Sequence, residues 1–175
     1  SDGSVVTWGR KDDVENYVAI TSGVTASNIF TNKWSFAVVF DDGSVQVWGS
    51  TTRGGEISSG VTTIAAGSGI TKIVGNDYAF AALKSDGSVQ VWGDSRYGGS
   101  DPAINSAVNI VATDKAFAAV KSDGSVKAWG DSGSGGSNPS IASGVANIYS
   151  TQKAFVALAV SLTYGPLISG TGTSF

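Results

Sequence analysis

The sequence predicts an all-β protein made of antiparallel repeats, and three observations carry this prediction. The string Asp-Gly-Ser-Val-x-x-Trp-Gly occurs four times, and an aromatic inside an alternating small and apolar run recurs with nearly the same period. No segment has the apolar spacing of a long amphipathic helix. Glycine supplies 24 of the 175 residues and charged residues only 14 %, which is typical of short strands joined by many turns.

Three landmarks define the repeat unit. The tryptophans of the string are spaced by 40, 44 and 37 residues, the phenylalanines of the alternating run by 44, 37 and 38, and a Ser-Gly-Val or Ser-Ala-Val step by 37, 47 and 37. The basic unit is therefore 37 residues long, with insertions before Ser22 and within 62–69. The landmark aromatics are Trp8, Trp48, Trp92, Trp129, Phe36, Phe80, Phe117 and Phe155.

These landmarks divide a single repeat domain, 1–175. It begins with a half unit, 1–9, and continues with four units of 37 to 47 residues that end near residues 49, 93, 130 and 165. Residues 166–175 are predicted to be a C-terminal tail. Because the chain opens in the middle of the repeated motif and without a methionine, we expect a processed piece of a longer precursor.

Each unit is predicted to hold three strands, which in the third full copy span 109–112, 116–120 and 125–129. An Asp-Gly pair between alternating runs is the strongest short-range signal of a hairpin, because glycine reaches positive φ without steric cost. The third strand alternates, so we expect one buried and one solvated face, with Val126 and Ala128 on one side and Trp129 on the other. The small residues of the second strand would let neighbouring sheets approach closely.

We interpret the landmark aromatics, Trp8 of the half unit included, as core residues that pack between repeats. A tryptophan beside a glycine at the same place in every third strand favours this interpretation over an exposed ligand-stacking ladder. The variable segments after each Trp-Gly are rich in Gly, Ser, Asp and Pro, so they are predicted to be surface connections.

A resemblance to a known family is carried by two stretches, 80–99 and 117–136, which read FAALKSDGSVQVWGDSRYGG and FAAVKSDGSVKAWGDSGSGG. The order of an apolar strand, an Asp-Gly turn, a Val-x-x-Trp-Gly strand and a Gly-rich loop resembles the RCC1-type (regulator of chromosome condensation) repeat. The resemblance implies antiparallel β-propeller blades of a short-repeat variant, assembled as a partial or small propeller. The alternative architecture is an open stack similar to a β-solenoid.

No catalytic residue, metal ligand or cofactor site is predicted. The chain has no His and no Cys, which excludes imidazole and thiolate metal sites and Ser–His or Cys–His nucleophiles. The Gly-Asp-Ser-Gly sequence at 130–133 resembles the surroundings of a serine nucleophile, but its sister copy at 93–96 identifies it as the loop of the repeat. Acidic residues at 12–15 and 41–42 match no calcium-loop pattern and are interpreted as solvated surface.

Candidate partner-binding residues come from the positions that vary between repeats. One repeat position, two residues before the landmark phenylalanine, varies between aromatic and basic residues: Trp34, Tyr78, Lys115 and Lys153. Arg53, Arg96 and Tyr97 lie in the variable loops. Tyrosine, tryptophan and arginine dominate the binding energy of protein interfaces. We therefore predict that the aromatic and arginine residues among these, Trp34, Tyr78, Arg53, Arg96 and Tyr97, contribute to a partner-binding surface.

The function favoured by these observations is a non-enzymatic scaffold that binds another protein, or further repeats of the same precursor, as a subunit of a larger assembly. The alternative is an extracellular carbohydrate-binding module in which Trp34, Tyr78 or Tyr97 stacks on sugars. Guanine-nucleotide exchange, a third and less favoured function, follows from the family resemblance alone.

Charge and hydropathy bear on the partner and the location. The net charge of −3 and the pI near 4.7 argue against nucleic acid as a partner. The longest apolar run, 154–160, is far shorter than the roughly 20 residues of a membrane span. A secreted or organelle-lumen location is favoured only because the chain is expected to be a processed piece of a longer precursor.

Overall fold

The computed structural model describes residues 5–8 and 25–159, and their regular structure is almost entirely β. The twelve strands are β1 (Ala26–Thr31), β2 (Ser35–Phe40), β3 (Val45–Gly49), β4 (Thr63–Ile64), β5 (Ile70–Gly75), β6 (Ala79–Lys84), β7 (Val89–Gly93), β8 (Ala107–Ala112), β9 (Ala116–Lys121), β10 (Val126–Gly130), β11 (Val145–Ser150) and β12 (Phe155–Ala159). Short 3₁₀ turns follow three of the strands, at Thr51–Arg53, Ser95–Tyr97 and Ser132–Ser134. In these described ranges no helix has the length and apolarity that crossing a membrane requires.

The strands form four antiparallel sheets, so the predicted all-β, antiparallel fold class is confirmed. The second and third sheets are meanders, β5-β6-β7 and β8-β9-β10, and β11 pairs with β12 in the fourth. The first sheet adds β4, from the long insertion, to β1-β2-β3, with Val45 opposite Ile64. The expected end of the last unit near 165 and the tail 166–175 lie outside the described residues.

The Asp-Gly hairpins are held by the same hydrogen bonds in three units. In the second sheet, Asp86 Oδ1 accepts bonds from the Ser88 backbone N–H at 2.8 Å and from its hydroxyl at 2.6 Å, while Gly87 has a φ of +79°. The pairs Asp42–Ser44 and Asp123–Ser125 repeat these bonds. The serine of the repeated string therefore has a structural role, since it closes the turn on the aspartate.

These bonds lower the pKa of Asp42, Asp86 and Asp123 from its ordinary value, because the serine hydroxyl and the serine N–H stabilise the charged carboxylate. At a pH above its unfolded pKa of about 3.9, such an aspartate stabilises the folded state. This contribution is lost as the pH falls through the lower pKa of the folded state. We expect Ser88→Ala to raise the pKa of Asp86 towards its ordinary value and to leave that of Asp123 unchanged, as measured by NMR titration of the carboxyl carbons. An unchanged pKa of Asp86 would show that the hydroxyl bond is not the cause.

The hydrophobic core lies between the sheets, in three layers. The layer between the first and second sheets contains Ala37, Val45, Val47, Ile64, Ile73, Phe80, Ala82 and Trp92. The layer between the second and third contains Ala79, Ala81, Leu83, Val89, Ile104, Ala107, Ile110, Phe117, Ala119 and Trp129. The layer between the third and fourth contains Ala118, Val120, Val126, Ala128, Val145 and Ile148. The four sheets therefore follow one another in a row, in chain order.

The third strand of a unit is buried on both faces, and the expectation of one solvated face is wrong. In β10, Val126 and Ala128 enter the layer shared with the fourth sheet, whereas Trp129 enters the layer shared with the second. The alternation of side chains is present, but each face meets a different neighbouring sheet. A strand inside such a row has no solvent side, so alternation marks two interfaces here.

Trp92 and Trp129 each join their own sheet to the preceding one. Trp92 stacks on Phe80 of its own sheet with ring centroids 5.4 Å apart, and its indole N–H donates to the Gly54 carbonyl of the preceding sheet at 3.2 Å. Trp129 repeats both contacts, with Phe117 at 5.4 Å and the Gly98 carbonyl at 3.1 Å. Trp48, Trp92 and Trp129 are all buried.

Trp8 differs from the other three, and its assignment to the core is wrong. Its side chain is 85 % exposed. Each buried tryptophan stacks on the phenylalanine twelve residues earlier, at 5.4 Å between ring centroids, whereas Trp8 has no such stacking contact among the described residues. Val5 of this segment packs on the first sheet, against a cluster of Val38, Phe40 and Trp48.

A pair of glycines after each 3₁₀ turn allows the close contact between neighbouring sheets. Gly98 has a φ of +102°, and a Cβ at this position would lie 2.6 Å from the ring of Phe117. At Gly99 a Cβ would lie 2.3 Å from the Gly93 carbonyl oxygen. The first glycine therefore admits the phenylalanine of the next sheet, and the second admits the backbone of its own third strand.

Candidate functional site

Two sets of loops meet at one edge of the row, which we call the loop face. It consists of the turns between the first and second strands of each sheet and of the 3₁₀ turns after the third strands. In the first sheet, Asn32 Nδ2 donates to the Arg53 carbonyl at 2.7 Å, while Asn32 Oδ1 accepts from the Trp34 and Ser35 N–H groups at 2.7 Å. Asn76 makes the matching bond to the Tyr97 carbonyl at 2.6 Å. Each loop is thereby tied to its neighbour.

On this face lies an aromatic–cation ladder, formed by Trp34, Arg53, Tyr78, Tyr97 and Lys115. The Arg53 guanidinium carbon lies 4.1 Å from the centroid of the Trp34 ring and 5.9 Å from that of Tyr78. It therefore bridges an aromatic of the first sheet to one of the second. Such contacts stabilise a pair by about 0.5–1 kcal/mol at exposed sites.

The second half of the ladder continues to the third sheet. The rings of Tyr78 and Tyr97 have centroids 4.5 Å apart. The Lys115 ammonium lies 5.9 Å from the Tyr78 centroid and 5.5 Å from the Tyr97 centroid. Three sheets thus contribute to one continuous strip of aromatic rings and cations.

Arg96 lies beside the ladder with its charge already paired. Its guanidinium carbon lies 5.3 Å from the centroid of the Tyr97 ring. Its Nε and Nη2 donate to the Asp94 carboxylate at 3.0 and 2.7 Å. These bonds lower the pKa of Asp94 and raise that of Arg96. Arg53 and Lys115, in contrast, have no ion pair with any residue that the structure describes.

All five residues singled out in the sequence, Trp34, Arg53, Tyr78, Arg96 and Tyr97, are brought together here. Whether a partner contacts them stays a prediction. Lys115, which the sequence analysis noted at the repeat position of Trp34 and Tyr78, lies in the same strip. The sequence analysis missed Asp94, which pairs with Arg96.

The Trp34 indole N–H is buried and has no hydrogen-bond partner among the described residues. A buried donor without an acceptor costs about 1–3 kcal/mol. Arg53 lies over one face of the Trp34 ring, and the rings of Tyr78 and Tyr97 contact each other and the two cations. Sugar stacking on these same ring faces would require the cations to move.

The turns of the four sheets also converge on an open cleft of about 570 Å³. The Asp77 N–H donates to the Asp114 carbonyl at 2.9 Å, and the Asp114 N–H donates to the Gln152 carbonyl at 2.8 Å. Lys33 pairs with the Asp77 carboxylate at 2.5 Å, which raises the pKa of Lys33. Within the described ranges no three groups of the metal-ligating kind lie together, so the cleft offers hydrogen bonds and one ion pair.

The chain is similar in fold to several solved structures. Yeast RCC1 (Prp20) bound to Kap60 is similar with a TM-score of 0.51 and 15 % identity, over 62 % of this chain and 30 % of that one. Prp20p of Saccharomyces cerevisiae, whose structure was reported with its binding properties to Gsp1p and histones, is similar with a TM-score of 0.53 and 16 % identity, over 81 % of this chain and 38 % of that one. The ectodomain of the Physcomitrella patens receptor kinase CR4 is similar with a TM-score of 0.55 and 14 % identity, over 82 % of this chain and 38 % of that one.

These similarities concern the fold, since the identities are low. No known protein-family model matches the chain, and no curated protein matches its sequence. The chain spans about a third of the length of these structures, between 30 and 38 %. The four sheets have the blade-like arrangement found in RCC1 propellers.

Proposed function

We propose that this chain is a non-enzymatic repeat scaffold, a short variant of the RCC1-type repeat, that binds another protein through its loop face as part of a larger assembly. The observation that carries the proposal is the aromatic–cation ladder. It combines the residue types that dominate interface energetics on three adjacent rigid sheets. Yeast RCC1, a protein of similar fold, has been solved bound to Kap60.

Preorganisation supports a binding role for the ladder. The side chains are already held by ring and cation contacts, and the loops below them by the Asn32 and Asn76 bonds. Association therefore orders few additional rotamers, which lowers its entropic cost.

The charges of the ladder point to the chemistry of the partner. Arg53 and Lys115 form no close ion pair with a described residue, although the charge of Arg53 contributes at longer range to the lowered pKa of Asp94. A partner segment that presents Asp or Glu beside an apolar side chain would pair with these cations and cover the rings. We therefore propose an acidic protein segment as the ligand class.

The test is recovery of a partner with matched variants. Tagged chain from the native source is cross-linked, and its hydrodynamic mass and bound proteins are measured for wild type, Arg53→Glu and Lys121→Glu. Lys121 is the control because it lies beside the Asp-Gly hairpin, at the opposite end of its strand. We expect wild type and Lys121→Glu to bind the same protein equally, Arg53→Glu to bind at least tenfold less, and salt to weaken binding.

Two results would contradict the proposal. One is a free chain of 17.7 kDa from which no stoichiometric partner is recovered. The other is a partner that Arg53→Glu and Lys121→Glu retain equally, which would place the interface away from the ladder.

A further inference from the structure

The first strands of the four sheets carry a polar residue at one equivalent position. These residues are Asn28, Lys72, Asn109 and Asn147, spaced by 44, 37 and 38 residues, the same intervals that separate the landmark phenylalanines. Each follows an irregular step in the pairing with the second strand, of the kind that a β-bulge makes. Because a bulge re-aims a side chain out of the regular alternation, this position can contact the neighbouring sheet.

From the second sheet to the fourth, these side chains form a series of hydrogen bonds, which we call the polar series. The Lys72 ammonium donates to Asn109 Oδ1 at 2.8 Å and to the Ile110 carbonyl at 2.9 Å. Asn109 Nδ2 in turn donates to Asn147 Oδ1 at 3.1 Å. Each step of the series therefore joins a donor of one sheet to an asparagine oxygen of the next.

Between the first and second sheets the polar series is interrupted. Asn28 Oδ1 accepts from the Ile29 N–H at 2.9 Å, whereas Asn28 Nδ2 has no acceptor among the described residues. The equivalent residue of the second sheet is Lys72, and an ammonium group carries donors only. Two donors are therefore present where the other sheets pair a donor with an acceptor.

An open cleft of about 240 Å³ lies at this interruption, and both Asn28 and Lys72 line it. Its described lining belongs to β1, β2 and β5, and Lys72 is the only titratable group in it. The two hydroxyls of this lining already donate to backbone carbonyls of the second strands. The apolar part of the wall consists of Phe30, Val39, Ile70 and Ile73.

The charge of Lys72 is not compensated by a nearby carboxylate. No Asp or Glu of the described ranges forms an ion pair with its ammonium, and burial lowers the pKa of Lys72 from its ordinary value. The oxygens of Asn109 and Ile110 take two of the three ammonium donors, which leaves one for a ligand. A partly buried cation is stabilised by an anion that also accepts a hydrogen bond from it.

We propose that this cleft binds a small carboxylate with an apolar body, such as an aliphatic or aromatic carboxylic acid. One carboxylate oxygen accepts from the Lys72 ammonium and the other from Asn28 Nδ2, which completes the polar series. The apolar body contacts the wall on the side of Phe30 and Ile70. At about 30 Å³ per water molecule, the cleft of 240 Å³ has the volume of roughly eight waters, which limits the size of the ligand.

The donors and the wall together favour a carboxylate over other ligands. A phosphate or sulfate carries more oxygens than one ammonium and one amide can satisfy, and burying the remaining oxygens against an apolar wall is costly. A neutral amide or alcohol would leave the charge of Lys72 uncompensated. A carboxylate has one charge and two oxygens, and its apolar body suits a wall of aliphatic and aromatic side chains.

The test uses benzoate as the probe, with benzamide as the neutral analogue and acetate as the analogue without an apolar body. Affinity is measured by NMR from the methyl signals of Ile70 and Ile73, which line the cleft. We expect benzoate to bind saturably and to raise the pKa of Lys72, measured from its side-chain signal, because a bound carboxylate stabilises the charged ammonium. Benzamide and acetate should bind at least tenfold more weakly.

Lys72→Asn is the informative variant, because it places the residue of the other three units at this position. We expect the fold to be kept, since Asn28 gains a neutral acceptor and the polar series is completed. Loss of the cation should weaken benzoate binding at least tenfold. Lys121→Asn removes a lysine beside the hairpin of another sheet and, as the matched control, should bind benzoate as wild type does.

Asn28→Asp supplies a carboxylate from the chain itself. This substitution keeps the shape of the side chain and the oxygen that accepts from the Ile29 N–H. We expect it to raise the pKa of Lys72 without any ligand and to abolish benzoate binding, because the new carboxylate pairs with the ammonium and repels the ligand. An unchanged pKa of Lys72 would contradict the proposal, since the two side chains would then not share the cleft.

Three further results would overturn the proposal. The first is the absence of saturable binding by benzoate at millimolar concentrations. The second is equal affinity for benzoate and benzamide, or equal affinity of wild type and Lys72→Asn for benzoate, which would make the cleft a site for apolar ligands of any charge. The third is binding that arises only when Asp12, Asp13 and Glu15 are replaced by their amides, which would assign the cleft to the chain's own acidic segment.

The carboxylate site is independent of the loop-face proposal. We expect Arg53→Glu, which should impair binding of a protein partner at the loop face, to leave the affinity for benzoate unchanged. Lys72→Asn should in turn leave partner recovery unchanged, because Lys72 lies outside the aromatic–cation ladder. Failure of one proposal can therefore be distinguished from failure of the other.

Discussion

Replacement of Trp92 by alanine is expected to lower the free energy of unfolding by about 3–5 kcal/mol. The side chain is buried between the first two sheets, stacks on Phe80 and donates to the Gly54 carbonyl. Its removal leaves a cavity and an unpaired carbonyl at the same place. Against a total stability of roughly 5–15 kcal/mol for a domain, this loss is large enough to unfold much of the population at 37 °C.

Trp8→Ala is the matched control, and the free energy of unfolding of both variants is measured by urea unfolding. Because Trp8 is exposed, we expect a change within about 0.5 kcal/mol. Equal effects of the two substitutions would contradict the assignment of Trp92 to the inter-sheet core. So would an unchanged unfolding midpoint for Trp92→Ala.

The second large effect is expected for Gly98→Ala, which should destabilise the fold by about 2–5 kcal/mol. The new Cβ would collide with the Phe117 ring at 2.6 Å and approach Trp129 at 3.2 Å, and overpacking of this kind costs about 1–3 kcal/mol. The φ of +102° adds about 1–2 kcal/mol for a residue with a side chain.

Gly67→Ala separates these two causes. Gly67 has a comparable positive φ of +74°, but a Cβ there would meet no atom within 4 Å. We expect thermal unfolding to show only the backbone cost, about 1–2 kcal/mol. If the two alanine variants were equally destabilised, the contact with Phe117 would not be a close-packed one.

The local structure could be predicted from the sequence because it depends on neighbouring residues. The Asp-Gly pair at 86–87 defines its hairpin by the φ that glycine allows and by the bonds that Asp86 accepts from Ser88. The repeated strands follow from the alternation on either side of that turn. No such local rule marks β4, which forms because an insertion happens to reach the free edge of β3.

The two-sided burial of the third strand could not be predicted from alternation alone. A lysine at 127, between Val126 and Ala128, has the pattern of a strand with one solvent-exposed face, but Lys127 is only partly exposed. What covers a face is decided by residues about 37 positions away. The burial expected for Trp8 was wrong for the same reason, because the burial of a side chain depends on contacts with residues distant in the sequence.

The candidate site was predictable in composition but not in geometry. Trp34 and Tyr78 stood out because they vary at a fixed repeat position, and Arg53 and Tyr97 because their loops vary in length and sequence. That Arg53 bridges the two aromatics, and that Lys115 continues the strip, depends on the offset between sheets. This offset is a property of the packed layers and has no signature within a single repeat.

The placement of the core between sheets has a consequence for how the chain folds. Because each layer joins units that follow one another along the chain, the loops that must close during folding are short, and their entropic cost is small. The energetics then resemble a one-dimensional lattice with couplings between nearest neighbours. A unit alone has almost no core of its own, so order in one sheet has to be stabilised by order in the next. Damage to one layer is shared by the two units beside it, and more distant units are affected only through them.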